Sequence, residues 1–182
     1  MHDVALMGKA RSGKDTAAAF LVDVHGYKRL AFADPLKHMA DEVDPLIPTS
    51  VGVHVRLKSL VRDVGWEYAK DNYPEVRRVL QHIGQTIRDR DPDYWVRLLM
   101  AQVEGAREFG YPVVVSDVRY PNEAEALRAA GFKLVRIYRP GNEDAGTHES
   151  ETALDNYVGD AVIRNDMTPA FLGYRVTRYL MH

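Results

Sequence analysis

The sequence predicts an α/β fold, a three-layer sandwich in which helices cover both faces of a parallel sheet of about five strands. Short apolar runs alternate with segments of helical apolar spacing along most of the chain. Two runs, at 113–115 and 161–163, are apolar at consecutive positions, as expected of strands buried on both faces. The 182 residues contain no repeat and no linker-like tract, so a single domain is expected.

The first two strands and two helices follow from apolar runs and their punctuation. Val4 to Met7 is continuously apolar and predicts a strand, and the Ala-rich stretch 16–24 predicts a helix. Gly26 ends this helix, where a left-handed residue is expected. Residues 27–33 predict a second strand. Asp34-Pro35 supplies an N-cap and a first-turn proline for a helix that runs to about Val43.

Residues 44–110 have a helical and polar pattern in which no strand is evident. Apolar residues at helical spacing predict a helix at 75–83 that stops at Gly84, followed by a loop at 84–90. Asp91-Pro92 then caps a longer helix in which Trp95 begins the apolar face. This segment is an insertion between the second and third strands of the sheet.

The alternation of strands and helices resumes after the insertion. Strands are predicted at 112–116, 133–139 and 161–163, and helices at 122–130 and from Pro169 onward. The chain is therefore expected to have a core at 1–43 and 111–182, a helical insertion at 44–110 and a lid at about 139–157.

Composition limits the classes of function. The formal net charge is -2, so nothing draws the whole molecule to nucleic acid or to an anionic membrane. The absence of cysteine excludes a disulfide framework, a thiolate metal site and a cysteine nucleophile. With no signal peptide and no apolar run of about 18 residues, the sequence predicts a soluble cytoplasmic protein. A homodimer is left open.

Residues 8–16 form a phosphate-binding motif. They are Gly-Lys-Ala-Arg-Ser-Gly-Lys-Asp-Thr and match Gly-x-x-x-x-Gly-Lys between a predicted strand and a predicted helix. Gly8 and Gly13 let the backbone aim successive N–H groups at phosphate oxygens, and the helix adds its positive dipole end. Lys14 brings a mobile positive charge to the outer phosphates. The alternative is a Gly-rich turn with solvated cations.

The residue after the motif lysine departs from the strict pattern. A Ser or Thr normally stands there and binds Mg²⁺ through its hydroxyl, whereas this chain has Asp15, with Thr16 next. Asp15 can hold a magnesium ion or can simply be an acidic residue in the first helical turn. Both interpretations stay open from the residues alone.

Other short motifs, in order along the chain, resemble a known family. They are Ala33-Asp34-Pro35-Leu36-Lys37, Arg77-Arg78 with Leu80-Gln81 and Gly84, Tyr94-Trp95-Val96, Ser116-Asp117-Val118-Arg119, Arg139-Pro140-Gly141 with Thr147-His148 and Glu151, Gly159-Asp160, and Asn165-Asp166. Together with the phosphate-binding loop, this ordered set is similar to the bacteriophage deoxynucleoside monophosphate kinases, a branch of the P-loop kinases. In that family an Asp also follows the loop lysine. Relatives often have Gly-Thr where this chain has Gly84-Gln85.

The resemblance implies a P-loop kinase fold and transfer of the γ-phosphoryl group of ATP, with Mg²⁺, to the 5'-phosphate of a deoxynucleotide. Such an enzyme would supply precursors for phage DNA synthesis, in the host cytoplasm. Positioning and positive charge supply most of the catalysis of phosphoryl transfer. The expected partner is therefore a small-molecule substrate, with no nucleic acid and no membrane.

The implied site residues fall into four groups. The catalytic group is Lys14, Arg11, Arg119 and Arg139, and the ATP-binding group is Arg11, Ser12, Gly13, Lys14, Asp15 and Thr16. The acceptor-binding group is Asp34, Leu36, Lys37, Arg78, Gln81, Gly84, Gln85, Trp95, Asp117 and Arg119, and the metal ligands are Asp15 and Asp117. Three alternatives stay open: Asp34 as an ordinary N-cap, Trp95 as a core residue, and Asp117 with Arg119 as a structural ion pair.

The segment from Arg139 to Thr152 has the composition of a lid, which would exclude water and so suppress hydrolysis. Arg139 is its expected phosphate ligand, and His148 is expected to form a hydrogen bond there rather than bind a metal. Two other functions remain open. One is a P-loop kinase for another phosphorylated acceptor, such as phosphomevalonate or dephospho-coenzyme A. The other is a non-catalytic ATP-binding regulator or DNA-packaging accessory.

Overall fold

The computed structural model describes residues 2–142 and 149–180, and they form the predicted α/β fold. A parallel five-stranded sheet has the order β2-β5-β1-β6-β7. Its strands are β1 (Val4–Met7), β2 (Lys28–Leu30), β5 (Val113–Val118), β6 (Lys133–Tyr138) and β7 (Ala161–Arg164). The register pairs Val4 with Val114 on one side and with Lys133 on the other. All five predicted strands are confirmed, but β7 is an edge strand whose Val162 is 66% exposed, so it is not buried on both faces as its apolar run had indicated.

Helices cover both faces of this sheet. The helices of the described residues are α1 (Lys14–His25), α2 (Ala33–Val43), α3 (Leu57–Val64), α4 (Trp66–Asn72), α5 (Pro74–Arg90), α6 (Tyr94–Glu108), α7 (Pro121–Ala129), α8 (Glu149–Thr152) and α9 (Pro169–Leu180), and of these α2 to α5 belong to a second unit described below. Helices α1 and α9 pack on one face, where Leu21 and Val176 join a core cluster with Val4 and Val135. Side chains alternate between faces along a strand, and Ala5, on the opposite face, is also fully buried.

The chain divides into two units. The first contains the described residues up to Phe32 and from Val96 onward, and the second is Ala33–Trp95. The sequence had placed the insertion at 44–110. The second unit has its own apolar core, formed by Ala40, Ile47, Leu57, Leu60, Ala69, Val76 and Leu80.

Three local predictions were wrong, and each has a physical reason. Residues 44–110 contain an antiparallel hairpin, β3 (Leu46–Pro48) with β4 (His54–Arg56), whose strands are too short and exposed to leave an apolar run. Helix α5 does not stop at Gly84 but continues to Arg90, because packing of its apolar face outweighs the low helix propensity of one glycine. Helix α2 begins at Ala33, so Asp34 lies within its first turn.

Two further findings concern the helices. Gly26 has a φ of 69°, which confirms the left-handed end of α1. Within the described part of the chain, no helix has both the length and the apolar character that crossing a membrane requires.

Candidate functional site: a phosphate-binding loop at the carboxyl edge of the sheet

In the first unit, the phosphate-binding loop, the candidate catalytic residues Arg119 and Arg139, and the Asn165-Asp166 motif follow the carboxyl ends of parallel strands. Gly8 follows β1, Arg119 follows β5, Arg139 follows β6 and Asn165 follows β7. Because the strands are parallel, these four positions lie along one edge of the sheet, where α/β proteins bind ligands. The sheet topology therefore brings together residues that are far apart in sequence.

The loop between β1 and α1 requires its glycines. Gly8 and Gly13 have φ values of 138° and 106°, a region that side chains with a Cβ rarely adopt. A Cβ at Gly8 would collide with the carbonyl oxygen of Ile137, and one at Gly13 would collide with the amide of Asn165. Arg11, at the exposed tip, also has a positive φ, of 59°. Such strained backbone is common at ligand sites.

Lys14 is buried inside this loop. Its side chain is 6% exposed, and Nζ donates hydrogen bonds to the carbonyl oxygens of Gly8 at 2.7 Å and Lys9 at 2.8 Å. Ser12 is also buried; its N–H donates to the carbonyl oxygen of Lys9 at 3.2 Å, and its hydroxyl has no hydrogen-bond partner among the described residues. The loop therefore holds an ammonium group in place before any ligand is bound.

The electrostatics of Lys14 reflect this burial. Removal from water lowers the pKa of Lys14 from 10.5 to about 8, and the positive charge of Arg119 acts in the same direction. The carboxylates of Glu151, Asp15 and Asp117 oppose the fall in this pKa. A buried ammonium group that lacks full compensation is suited to an anion such as a triphosphate, which would stabilise the charged form and raise this pKa again.

Asp117 and Arg119 are fixed at the end of β5. Asp117 accepts a hydrogen bond from the N–H of Phe32 at 2.8 Å, and the N–H of Arg119 donates to the buried Glu123 carboxylate at 2.8 Å. The Arg119 guanidinium forms an ion pair with Glu151. Burial opposes the charge of Arg119, but the adjacent Glu151 carboxylate raises the pKa of the guanidinium above its ordinary value. Neither Glu123 nor Glu151 was among the candidate residues.

A cavity of about 600 Å³ opens beside the loop. Arg11, Gly13, Lys14, Asp15, Thr16 and Arg139 line one part of it. The loop between β7 and α9 lines the rest, and there Asn165 donates its side-chain N–H to the carbonyl oxygen of Ser12 at 2.8 Å. Asp166 in the same loop is held by Arg164 at 2.6 Å and Arg175 at 2.8 Å. The size and polarity of the cavity fit a nucleotide.

Two predicted metal ligands, Asp15 and Asp117, stand near the ammonium group of Lys14, close enough to influence its pKa. Within residues 2–142 and 149–180, no group of three or more His, Cys, Asp or Glu side chains forms a metal cage. Magnesium commonly takes one or two carboxylates and completes its shell with water and substrate phosphates. The donors present therefore fit Mg²⁺ that arrives with a nucleotide.

Three of the four candidate acceptor residues of α5 lie on one face of the helix, and the fourth, Gly84, lies on its buried side. Because α5 continues through Gly84, Arg78, Gln81 and Gln85 have i, i+3, i+7 spacing and share a face. Arg78 pairs with Glu75, with Nε to Oε2 at 2.7 Å, and the Gln85 amide donates to Asp89 at 2.8 Å. This face lies opposite the buried positions of the helix.

The remaining candidates of the second unit are less exposed. Trp95 is 2% exposed, and its Nε1 donates to the carbonyl oxygen of Gly84 at 3.3 Å. This burial favours the core interpretation of Trp95 over stacking on a base. Leu36 packs over Gly84, and Lys37 lies over the ring of Trp66 at 5.8 Å. Asp34 is half-buried in the first turn of α2.

The predicted lid is only partly described. Arg139 is exposed and lines the cavity, and the Asn142 side chain donates to the carbonyl oxygen of Ala10 at 2.6 Å. Thr147 and His148 lie outside the described residues. The roles of the candidate residues stay predictions.

Solved structures share the fold. A dephospho-CoA kinase from Campylobacter jejuni matches with a TM-score of 0.56 and 10% identity over 98% of this chain and 95% of its own. A sugar kinase from Janibacter sp. HTCC2649 matches with a TM-score of 0.55 and 16% identity over 100% of this chain and 95% of its own. At these identities the likeness concerns the fold alone.

Relatives in sequence are more informative about the family. The chain is 30% identical over 179 residues to a putative deoxynucleotide monophosphate kinase of Acanthamoeba polyphaga mimivirus, covering 91% of this chain and 89% of that protein. It is 35% identical over 94 residues to the deoxynucleotide monophosphate kinase of Enterobacteria phage T4, covering 50% of this chain and 39% of that protein. The family model for deoxynucleotide monophosphate kinase matches residues 49–173. With a buried loop lysine at the carboxyl edge of its sheet, the chain belongs to the deoxynucleotide monophosphate kinase family, a family of phosphotransferases.

Proposed function

We propose that this enzyme transfers the γ-phosphoryl group of ATP to the 5'-phosphate of deoxynucleoside monophosphates, giving ADP and a deoxynucleoside diphosphate. The observation that carries the proposal is the ammonium group of Lys14, which is buried within a loop that needs both of its glycines. Family membership supports the reaction. The products would be precursors for viral or phage DNA synthesis in the host cytoplasm.

The donor nucleotide would occupy the 600 Å³ cavity. Its β- and γ-phosphates would contact Lys14 and the loop N–H groups, with Arg11 and Arg139 toward the transferred group. The base would lie against the β7–α9 loop, whose Asn165 is hydrogen-bonded to Ser12 at 2.8 Å. Bound Mg²⁺ would neutralise phosphate charge, with Asp15 and Asp117 as its protein ligands.

An oxygen of the acceptor 5'-phosphate would attack the γ-phosphorus, and the bond from that phosphorus to the β–γ bridging oxygen would break. Negative charge then spreads over the transferred group, so fixed cations stabilise the transition state more than the ground state. Lys14 and Arg119 would supply this charge without a covalent intermediate. The Arg139 side chain would help to exclude water as the lid closes.

The acceptor would bind to the second unit. The face of α5 that carries Arg78, Gln81 and Gln85 offers a guanidinium and two amides, which suit a phosphate and a base edge. Asp34, Leu36 and Lys37 of α2 would contribute further contacts. Gly84 and Trp95 would support this face from the packed side, since Trp95 is buried and bonded to Gly84 at 3.3 Å.

A coupled ADP-release assay tests the proposal. The enzyme is given ATP, Mg²⁺ and one acceptor at a time from dAMP, dGMP, dCMP and dTMP, with the ribonucleotides, phosphomevalonate, dephospho-coenzyme A and no acceptor as controls. We expect ADP release that depends on at least one deoxynucleotide. Release that needs no acceptor, or that only a non-nucleotide acceptor stimulates, contradicts the proposal.

A further inference from the structure

The carboxylate of Glu151 joins two parts of the candidate catalytic site. Its Oε2 accepts a hydrogen bond from the N–H of Ala10 in the phosphate-binding loop at 2.9 Å. Its Oε1 accepts a hydrogen bond from Nη1 of Arg119, and the two side chains form an ion pair. The Glu151 side chain is 13% exposed and that of Arg119 is 33% exposed. One largely buried carboxylate therefore connects the loop to the arginine at the end of β5.

Helix α8, which carries Glu151, and the residues that follow it are held by other contacts as well. Lys9 Nζ donates to the main-chain oxygen of Glu151 at 2.9 Å and forms an ion pair with Asp155 at 2.6 Å. Arg136 donates to the carbonyl oxygens of Leu154 at 2.6 Å and Tyr157 at 2.8 Å. These contacts do not use the Glu151 carboxylate. The segment therefore has anchors that are independent of the carboxylate, which itself contacts Ala10 and Arg119.

A long arginine side chain loses much conformational freedom when it is fixed, so a guanidinium without a tether at the edge of a site samples many positions. Lys14 also repels it, because both groups are cations within electrostatic range of each other. The Glu151 carboxylate, which is hydrogen-bonded to Nη1 of Arg119, offsets this repulsion and restricts the arginine side chain. A guanidinium has five N–H donors, so pairing at Nη1 leaves others that can bind a phosphate.

We propose that Glu151 is a positioning residue for phosphoryl transfer, whose carboxylate holds the Arg119 guanidinium against the phosphate-binding loop. The inference rests on the proposed function, in which Arg119 contacts the transferring phosphates. Positioning of this kind acts on the chemical step, because a displacement of about 1 Å can cost about 100-fold in rate. Glu151 itself touches no substrate in this proposal.

A double-mutant cycle tests the proposal in the full-length enzyme at pH 6.5, where Lys14 stays protonated. We expect Glu151→Ala to lower kcat by about 10- to 100-fold while KM for ATP changes little. In an Arg119→Ala background, Glu151→Ala should change kcat by no more than about 2-fold, because its target is gone. Losses that multiply in the double variant overturn the proposal, as does a kcat of Glu151→Ala equal to that of the wild type.

Controls separate positioning from folding and from failure of the proposed function. Asp155→Ala removes a neighbouring contact of the α8 region without touching Arg119, and it should keep kcat near the wild-type value. A loss in Asp155→Ala as large as that in Glu151→Ala assigns the effect to anchoring of the helix and overturns the proposal. Glu151→Gln keeps the shape and one acceptor oxygen, so its kcat should lie between those of the wild type and Glu151→Ala. Wild-type enzyme that fails with every deoxynucleotide contradicts the proposed function instead.

Discussion

Replacement of Lys14 by Met should abolish turnover and yet make the protein more stable. The fall in the pKa of Lys14 from 10.5 to about 8 means that the folded protein disfavours the charged ammonium by about 3 kcal/mol. Met has a similar unbranched shape and no charge, so it removes this cost. It also loses the two hydrogen bonds to Gly8 and Lys9, each worth about 1 kcal/mol. The net gain is about 1 kcal/mol.

The stability difference depends on pH with a definite sign. Below pH 8 both the folded and the unfolded chain carry the Lys14 proton, so the wild type bears the full cost. Between pH 8 and 10.5 the folded protein releases this proton while the unfolded chain keeps it, so the cost declines as pH rises. The advantage of Lys14→Met should therefore be largest at pH 7 and should disappear near pH 9, because the cost falls by about 1.4 kcal/mol per pH unit above pH 8. At higher pH the wild type should be the more stable protein, since it keeps the two hydrogen bonds of Lys14.

Thermal unfolding followed by circular dichroism measures this difference, and the coupled ADP assay measures turnover. At pH 7 a gain of about 1 kcal/mol corresponds to a rise in Tm of about 3 °C for a chain of this length. Loss of a charge that acts in the transition state should lower kcat by about 100- to 1000-fold. A Tm at pH 7 below that of the wild type, or turnover near the wild-type value, refutes the reasoning.

Two further variants test the second unit. Arg78→Ala should raise KM for the acceptor by about 10-fold and leave KM for ATP unchanged. A change of about 10-fold is what loss of one charge-assisted hydrogen bond to phosphate would cause. Arg62 is another exposed arginine that pairs with a neighbouring acid, so Arg62→Ala is the matched control and should change neither KM. If Arg78→Ala raises KM for ATP but not KM for the acceptor, the assignment of Arg78 to the acceptor is contradicted. Gly84→Ala should stabilise the protein by up to about 1 kcal/mol, because Gly84 lies inside α5 and an added Cβ would stand 3.4 Å from Leu36. Chemical denaturation measures this change, and a loss of stability shows that the two helices cannot accept a methyl group.

The central strands of the sheet, β1, β5 and β6, were predictable because burial on both faces leaves a local apolar pattern in the sequence. Val113 to Val115 are fully buried, and a strand covered on both faces must be apolar at successive positions. The ends of α1 were also marked locally, by Gly13 and Gly26, both with positive φ. The same logic failed in residues 44–110, where the hairpin of β3 and β4 has short, mostly exposed strands.

The continuity of α5 through Gly84 was decided by packing. A glycine costs a helix about 1 kcal/mol, so the sequence pattern predicted a stop there. Burial of Val76 and Leu80 in the core of the second unit outweighs this cost. The consequence reaches the candidate site, since only an unbroken helix brings Gln85 onto the face of Arg78 and Gln81.

Some features of the candidate site could likewise be predicted from the sequence, and others could be seen only in the structure. The phosphate-binding loop lies within nine consecutive residues, so its glycines, Lys14 and Asp15 could be identified from the sequence alone. The contact of Glu151 with Ala10 and Arg119 joins positions separated by 141 and 32 residues, and no local pattern records it. The sequence by itself determined the central strands of the sheet and the phosphate-binding loop, because local backbone preference and burial specify them. Only the tertiary structure decided which distant carboxylate meets which cation, because chain topology and close packing set those distances.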